Sequence, residues 1–524
     1  MASSFAPELD DRPRPVAVSM PRVRAQAIYE AGSQSKRTLG WHAPTASPNA
    51  GLANLTTLRD RSRAGVRNDG NAKGIIDMLV ANIIGTGIQP RSQATDKVFR
   101  TAVNALWLDW TDESDADGML DWYGQQAQAV RCWLEAGEVF ARLRPRLLSD
   151  GLSVPLQVQL LEPELCPHTY NVVLPNGNRV RAGIEFDAIG RRVAYYFHPQ
   201  RPGDFQDFDA GQLRRIPAEG VIHLYVPLRA GQIRGIPHLT PALIRLHEMD
   251  KYDDATLLRQ QLANLFVAFL TRASGAEFDI DPVTGQAIDT SEARPTLRLE
   301  PAAFQELGTG EDVKFAQPPD PPAGYIDFIK QHLRSACAAA GAPYELVTGD
   351  MSGLNDRVMR VLLIEFRRRV QSWQHQVVAF QLCRPVWRAW MDRVFLSGAL
   401  PIPATYIEDA SPWAAAKWQP QSWPYINPVQ DVQANREAVR AGFKSRSAVV
   451  AEQGDDSEEV DRENQSDNER ADNLALTYES DGRTKMGAGG ASKPDGGGED
   501  PDREPEEPPP PPTRPMPYQS GAHA

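Results

Sequence analysis

Cysteine is scarce. Only Cys132, Cys166, Cys337 and Cys383 occur in 524 residues, far apart and with no C-x-x-C pair, so neither a zinc site nor a disulfide framework is expected, and the four read as buried thiols. Long apolar runs are missing too. No window approaches the roughly 20 apolar residues of a membrane-spanning helix, and the opening MASSFAPELDDRPRP lacks the apolar core of a signal peptide. The expectation is a folded chain of cytosolic type with no membrane partner. Basic residues are outnumbered: 56 Lys and Arg face 68 Asp and Glu, a formal net charge of -12. Such a chain as a whole repels nucleic acid, so any contact with DNA is expected to be local or weak.

Chemical motifs are equally sparse. There is no G-x-x-x-x-G-K-[ST] phosphate loop, no H-E-x-x-H and no G-x-S-x-G. The nine histidines are scattered, and Cys166 with His168 is the one close thiol and imidazole, two ligands short of a metal site. Gly85 and Gly87 close a helix instead of opening one and lack the third glycine of a dinucleotide fingerprint. Asp253 and Asp254 are adjacent on one helix, point in diverging directions and read as a solvated face. No catalytic residue, metal or cofactor is expected, and the chain is not expected to be an enzyme.

What is present suits two or three structural units: 41% hydrophobic and 24% charged residues in an ordinary soluble mixture. The first fifty residues lack periodicity and read as a mobile arm with a short helix over 23–29. Ile75, Met78, Leu79 and Ile83 predict a helix over 71–84, and a helical region over 98–143 carries Trp107, Trp110, Trp122 and Trp133 around an acidic turn at 112–118. A β-rich stretch follows, with strands over 154–161 and 221–226. Between them 179–187 reads as one strand paired through a turn with Val193, Tyr195 and Phe197, with one buried face.

At Thr240 the period changes. Thr240 and Pro241 open a helix to about residue 270, a rod of about 45 Å. A second helix over 323–340 ends at Gly341 and Pro343. Residues 273–321 between them read as a small appended unit, with strands near Leu297 and Val313. A third helix runs over 355–395, with Leu362, Phe366, Val370, Trp373, Val377 and Phe380 on one stripe and a kink at Pro385. Helices over 427–440 and 445–454 and an acidic helical end precede a tail dominated by Gly, Pro, Asp and Glu. Two long helices rising to a small unit and returning would leave Leu258, Leu262, Ile329 and Leu333 in need of partners. Side-by-side copies closed into a ring are one solution, and packing within the subunit is the other.

The collinear series resembles a known family, the lambda-type portal proteins of tailed double-stranded DNA bacteriophages. The segments that carry it are Arg67-Asn68, IIGTGIQP, WLDWTDESDADGMLDWYGQQAQAVRCWLEAGEVF, GIEFDAIGRRVAYYF, VIHLYVPLRAGQIRGIPHLTPAL and PPAGYIDFIKQHLRSACAAAGAPYELVTGDMSGLNDRVMRVLLIEFRRR. The resemblance implies an α+β portal fold: an arm (1–50), a mixed α/β wing (51–238), a first stem helix (239–271), a clip (272–321) and a second stem helix (322–343). A tunnel loop (344–356), a spine helix with wing return (357–426), a helical crown (427–475) and a tail (476–524) complete it. It further implies a homododecameric ring at one capsid vertex of the virion, assembled in host cytoplasm. Double-stranded DNA passes through it, and terminase, the major capsid protein and a head-tail connector are its partners.

On this resemblance Asp350, Met351, Ser352, Gly353, Leu354 and Asn355 form the loop at the DNA channel. Short polar and soft apolar groups there can touch a moving duplex without gripping it. Arg357, Arg367, Arg368 and Arg369 are candidates for phosphate or intersubunit contacts, and Leu258, Leu262, Ile329 and Leu333 for stem packing. Another structural head or tail connector, or an enzyme subunit of DNA packaging, remains the alternative; the latter needs a Walker loop or convergent carboxylates.

Overall fold

The computed structural model describes residues 46–203, 212–265, 268–272, 283–286, 311–315, 324–425, 427–476 and 478. The expected arm and its helix over 23–29, most of the clip including the strand near Leu297, and the tail lie outside these residues. Among the described residues the first α-helix, which the periodicity did not reveal, is α1 (Leu55–Asn68), followed at once by α2 (Gly70–Ile83). The break is chemical: Asp69 leaves helical geometry and its carboxylate accepts the backbone N–H groups of Asn71 and Ala72. After β1 (Gln89–Ser92), α3 (Lys97–Glu113) and α4 (Trp122–Ala136) are capped in the same way by Asp96 and Asp121. The acidic turn between α3 and α4 is held by Asp115, which accepts the N–H groups of Met119 and Leu120 and the Gln125 amide at 2.8–3.1 Å.

The expected helix over 98–143 does not run to its end. Gly137, at φ 91°, stops α4, and β2 (Glu138–Pro145) takes over. Val139, Phe140 and Ala141 are all buried, and a short run buried on both faces has no period to tell strand from helix. β2 is the middle of a three-stranded antiparallel sheet, flanked by β3 (Leu156–Leu161) and, from later in the chain, β9 (Val221–Tyr225). Between β3 and β9 lies a five-stranded meander: β4 (Val172–Val173), β5 (Arg179–Arg181), β6 (Ile184–Phe186), β7 (Arg192–Phe197) and β8 (Arg214–Pro217). The single strand expected over 179–187 is therefore two. Ala182 and Gly183, at φ 51° and 79°, form a two-residue turn that alternation cannot reveal. The expected single buried face is also corrected, since Ala194, Tyr195, Tyr196 and Phe197 are all buried.

α5 (Thr240–Leu265) ends earlier than residue 270, because β10 (Ala268–Arg272) leaves the helix to pair antiparallel with β11 (Glu311–Phe315). Phe269 and Leu270 extend the apolar content of the helix but serve a strand. α6 (Tyr325–Ala340) returns antiparallel along α5. Tyr325 stacks on Tyr252 and donates its hydroxyl to Asp253 at 2.7 Å, while His238, before α5, meets the Ala340 carbonyl at 2.7 Å. The short α7 (Tyr344–Thr348) then leads to the loop and to α8 (Asp356–Trp373).

The expected third helix changes character within its length. Residues Gln374–Cys383 adopt a π-helix, and α9 (Arg384–Ser397) resumes α geometry with Pro385 in its first turn. Proline has no N–H to give to the preceding turn, and the widened π geometry lies directly before it. The widened turn shifts the apolar stripe. Phe366, Val370 and Val377 are buried as expected, but Phe380 is 59% exposed and Val378, Ala379, Leu382 and Cys383 are buried instead. α9 completes the main core with Trp387 and Trp390, which stack on each other and meet Trp107 tilted and edge-on, with Trp110 and Trp122 alongside. Beyond it lie α10 (Ser411–Ala414), β12 (Ala416–Gln419), which pairs with β1, and the helices α11 (Pro428–Arg440), α12 (Arg446–Glu452) and α13 (Ser457–Asn473). α13 meets α3 and β1 through Arg100–Glu458 at 2.7 Å and Arg91–Glu459 at 3.4 Å.

Candidate functional site

The segment between α6 and α8 reverses direction through three glycines in left-handed geometry, Gly341, Gly349 and Gly353. Its organising group is Asp350. That carboxylate receives the Lys330 ammonium at 2.8 Å, the Tyr344 hydroxyl at 3.1 Å and the backbone N–H of Ser352 at 3.1 Å, together with the Ser352 hydroxyl. The Lys330 bond, then those from Ser352 and Tyr344, hold the carboxyl well below its ordinary range. Asp350 thus ties the start of the loop back to α6 and α7. Asn355 closes the other end: its side chain accepts the Val358 N–H at 2.9 Å and caps α8. Between these fixed ends Met351, Ser352 and Gly353 are exposed, Met351 to 47%, and Leu354 is half-buried. Of the six candidates, two are anchors and the intervening residues form the free crest.

The basic candidates on α8 separate into different environments. Arg357 is exposed. Arg367 lies with its guanidinium 5.0 Å from the centre of the Trp423 ring and donates to the Pro424 carbonyl at 3.2 Å. Arg368 pairs with Glu365 at 2.5 Å, and Arg369 packs against the backbone of Gly341. Among the stem candidates Leu258 is 55% exposed. Leu333 is 6% exposed within the main core, and Ile329 packs against the same core. Leu262 lies in α5, but its side chain is outside the described residues. Exposed apolar groups gather elsewhere on these helices: Ile244 and Leu257 on α5, Ile326 and Phe328 on α6, and Val358, Val361 and Ile364 on α8.

A buried ionic hub escaped the sequence altogether. Glu138, at the start of β2, is fully buried and receives the guanidiniums of Arg59 from α1 and Arg234, the imidazole of His223 at 2.8 Å and the N–H of Gly235 at 2.8 Å. Burial alone would raise its carboxyl, but the two guanidiniums and the His223 bond outweigh it and hold it well below the usual range. Arg234 also donates to the carbonyls of Cys166 and Ala182 at 3.1 and 2.7 Å, so one side chain joins the three-stranded sheet to the five-stranded one. Glu138 and Arg234 sit next to apolar residues, but Arg59 lies in the polar run LTTLRDRSRAGVRN, where nothing marks it as buried.

Burial pushes the His223 imidazole down to about 4, against the raising effect of Glu138. A depressed folded value means that the unfolded chain binds the proton first, so stability is complete above about pH 6.5 and falls as the pH drops toward 4. His223 is expected to account for a loss of about 2 kcal/mol between pH 7 and pH 5. Denaturant titrations of the parent and His223→Gln at both pH values check this: the variant should show the shallower loss. Burial depresses His168, His198 and His238 in the same direction, so the parent slope should exceed the His223 share.

Sheet-bearing body, antiparallel helical pair and latched loop on a long helix define a mixed helix and sheet fold of the α+β class. A family model described as phage portal protein, lambda family, matches residues 34–374, and the chain belongs to that family. It is 26% identical over 452 residues to the probable portal protein of Halomonas phage phiHAP-1, covering 82% of this chain and 84% of that one. It is 20% identical over 484 residues to portal protein B of Escherichia phage lambda, covering 84% and 89%. Among solved structures it is similar to a chain from the neck of a native gene transfer agent particle computed with C12 symmetry, at TM-score 0.40 and 12% identity over 75% of this chain and 91% of that one. A portal protein of the HK97 family from Corynebacterium diphtheriae aligns at TM-score 0.27 and 12% identity, over 74% and 99%. Among the described residues no helix is long and apolar enough to cross a membrane.

Proposed function

We propose that this chain forms a ring of about a dozen copies at one capsid vertex of a virion and acts there as the conduit for double-stranded DNA. The DNA is driven inward by a separate terminase ATPase and later released, and the ring also meets the major capsid protein and a head-tail connector. The protein itself performs no covalent chemistry. Membership of the lambda portal family over residues 34–374 carries this reading. In it α5 and α6 are the stem, β10 and β11 belong to the clip, α8 to α9 are the spine, and α11 to α13 are the crown. Met351, Ser352, Gly353 and Leu354 line the narrow part of the channel while Asp350 and Asn355 hold the loop in shape. The exposed apolar groups on α5, α6 and α8 face neighbouring copies, which removes them from water.

Light scattering and negative-stain images of the purified chain test this directly. A ring near 0.7 MDa, about twelve times the 57.9 kDa chain, with a central hole is the expected result. Leu258→Glu should shift the population toward smaller species. A stable monomer or dimer at high concentration and across salt conditions would overturn the ring.

A further inference from the structure

A cleft of about 780 Å³ lies between α8, the strap that follows β12, and the helices α11 and α12. Trp418, Trp423 and Tyr425 supply half-buried aromatic surface, and Arg360, Arg368 and Lys417 supply charge at its wall. Arg367 is fixed over Trp423, and its buried Nε has no hydrogen-bond partner. Four cations face only two carboxylates in the lining, Asp431 and Glu452. Of these, Glu452 is occupied by Lys444 at 2.8 Å and Asp431 accepts the Asn427 N–H at 3.1 Å. Arg368 and Arg360 are themselves paired outside the lining, with Glu365 at 2.5 Å and Asp356 at 3.7 Å, so in a chain of net charge -12 the basic surplus beside this flat aromatic surface rests on Arg367 and Lys417.

We propose that the acidic, proline-rich stretch of this chain's own C-terminal tail, residues 499–512, docks in this cleft. Glu499, Asp500, Asp502, Glu504, Glu506 and Glu507 oppose the single Arg503, and five consecutive prolines follow. Proline-rich segments dock on aromatic-lined grooves with little further loss of backbone freedom, and carboxylates pair with guanidiniums. Reach is sufficient. α12 lines the cleft and α13 starts a few residues later, so the far end of α13 is about 25 Å away. The 21 positions from Tyr478 to Glu499 extend to roughly 70 Å. The inference goes beyond the channel reading and does not rest on it.

The test uses full-length protein. Zero-length carbodiimide crosslinking should join Lys417 to a carboxylate within 499–507, as read by mass spectrometry. A variant with all six tail acids changed to Gln or Asn should lose that crosslink and should bind a fluorescent peptide of residues 498–513 at least tenfold tighter than the parent, whose own tail competes. Adding Lys417→Glu and Arg368→Glu, both exposed positions, to that variant should weaken the peptide at least tenfold. Absence of the crosslink together with equal peptide affinity for parent and variant would overturn the proposal. Tight peptide binding that ignores the two charge reversals would overturn it as well, by placing the peptide elsewhere.

Discussion

Glu138→Gln is expected to lower the unfolding free energy by about 3–5 kcal/mol, enough to abolish most of the margin of an ordinary domain. The substitution keeps the shape of the side chain and removes its charge, so the guanidiniums of Arg59 and Arg234 remain buried with no counter-ion. Neither can reach water, since both side chains are at most 2% exposed. Glu185→Gln serves as the comparison. That carboxylate is equally buried, but its partner Arg215 is 45% exposed and is solvated when released. Chemical denaturation followed by tryptophan emission should show the larger loss for Glu138→Gln; equal losses would mean that the hub contributes no more than an open pair.

Gly235→Ala should be more damaging than any conservative change at the surface. A methyl group there would sit 2.0 Å from the carbonyl oxygen of Gly137, and backbone cannot yield as a flexible side chain does. The two glycines let the segment after β9 pass directly across the end of α4, which is what brings the Gly235 N–H to the Glu138 carboxylate at 2.8 Å. The expected loss exceeds about 4 kcal/mol, with little soluble protein recovered. Gly118→Ala gives the contrast. Gly118, unlike Gly235, has positive φ, at 68°, and an added Cβ there meets nothing, so its loss is the left-handed strain of about 1–2 kcal/mol alone. Solubility and denaturation midpoints of the two variants decide the matter; similar behaviour would show that the chain crossing is looser than its geometry implies.

Sequence reading succeeded where one residue type carries one physical meaning. Pro241 marks the start of α5 because it lacks an N–H that the first turn would leave unpaired, and Gly341 marks the end of α6 because it takes left-handed geometry, at φ 72°. It failed where two meanings share one pattern. The apolar run after Gly137 suits a helix or a strand, and only burial on both faces distinguishes them. Phe380 fits an α-helical stripe until the π-helical turn moves it outward. At the loop, the glycines revealed a bend, but Lys330, twenty positions before Asp350, gave no sign of being its partner. The hub was least legible of all, because its charge balance depends on residues that meet only after the sheets have formed.

That dispersal has a consequence for synthesis on the ribosome. Glu138 emerges 96 residues before Arg234, about 5–20 s earlier at ordinary elongation rates. During that interval the carboxylate has Arg59 as its charged partner, but its Oε2, which later receives the His223 imidazole and the Gly235 N–H, would be buried without a donor if the sheet closed. The N-terminal half therefore cannot commit to its final shape until the segment after β9 arrives. A chain cut short before Arg234 is expected to stay open and sensitive to protease, leaving a defective copy fit for degradation instead of assembly.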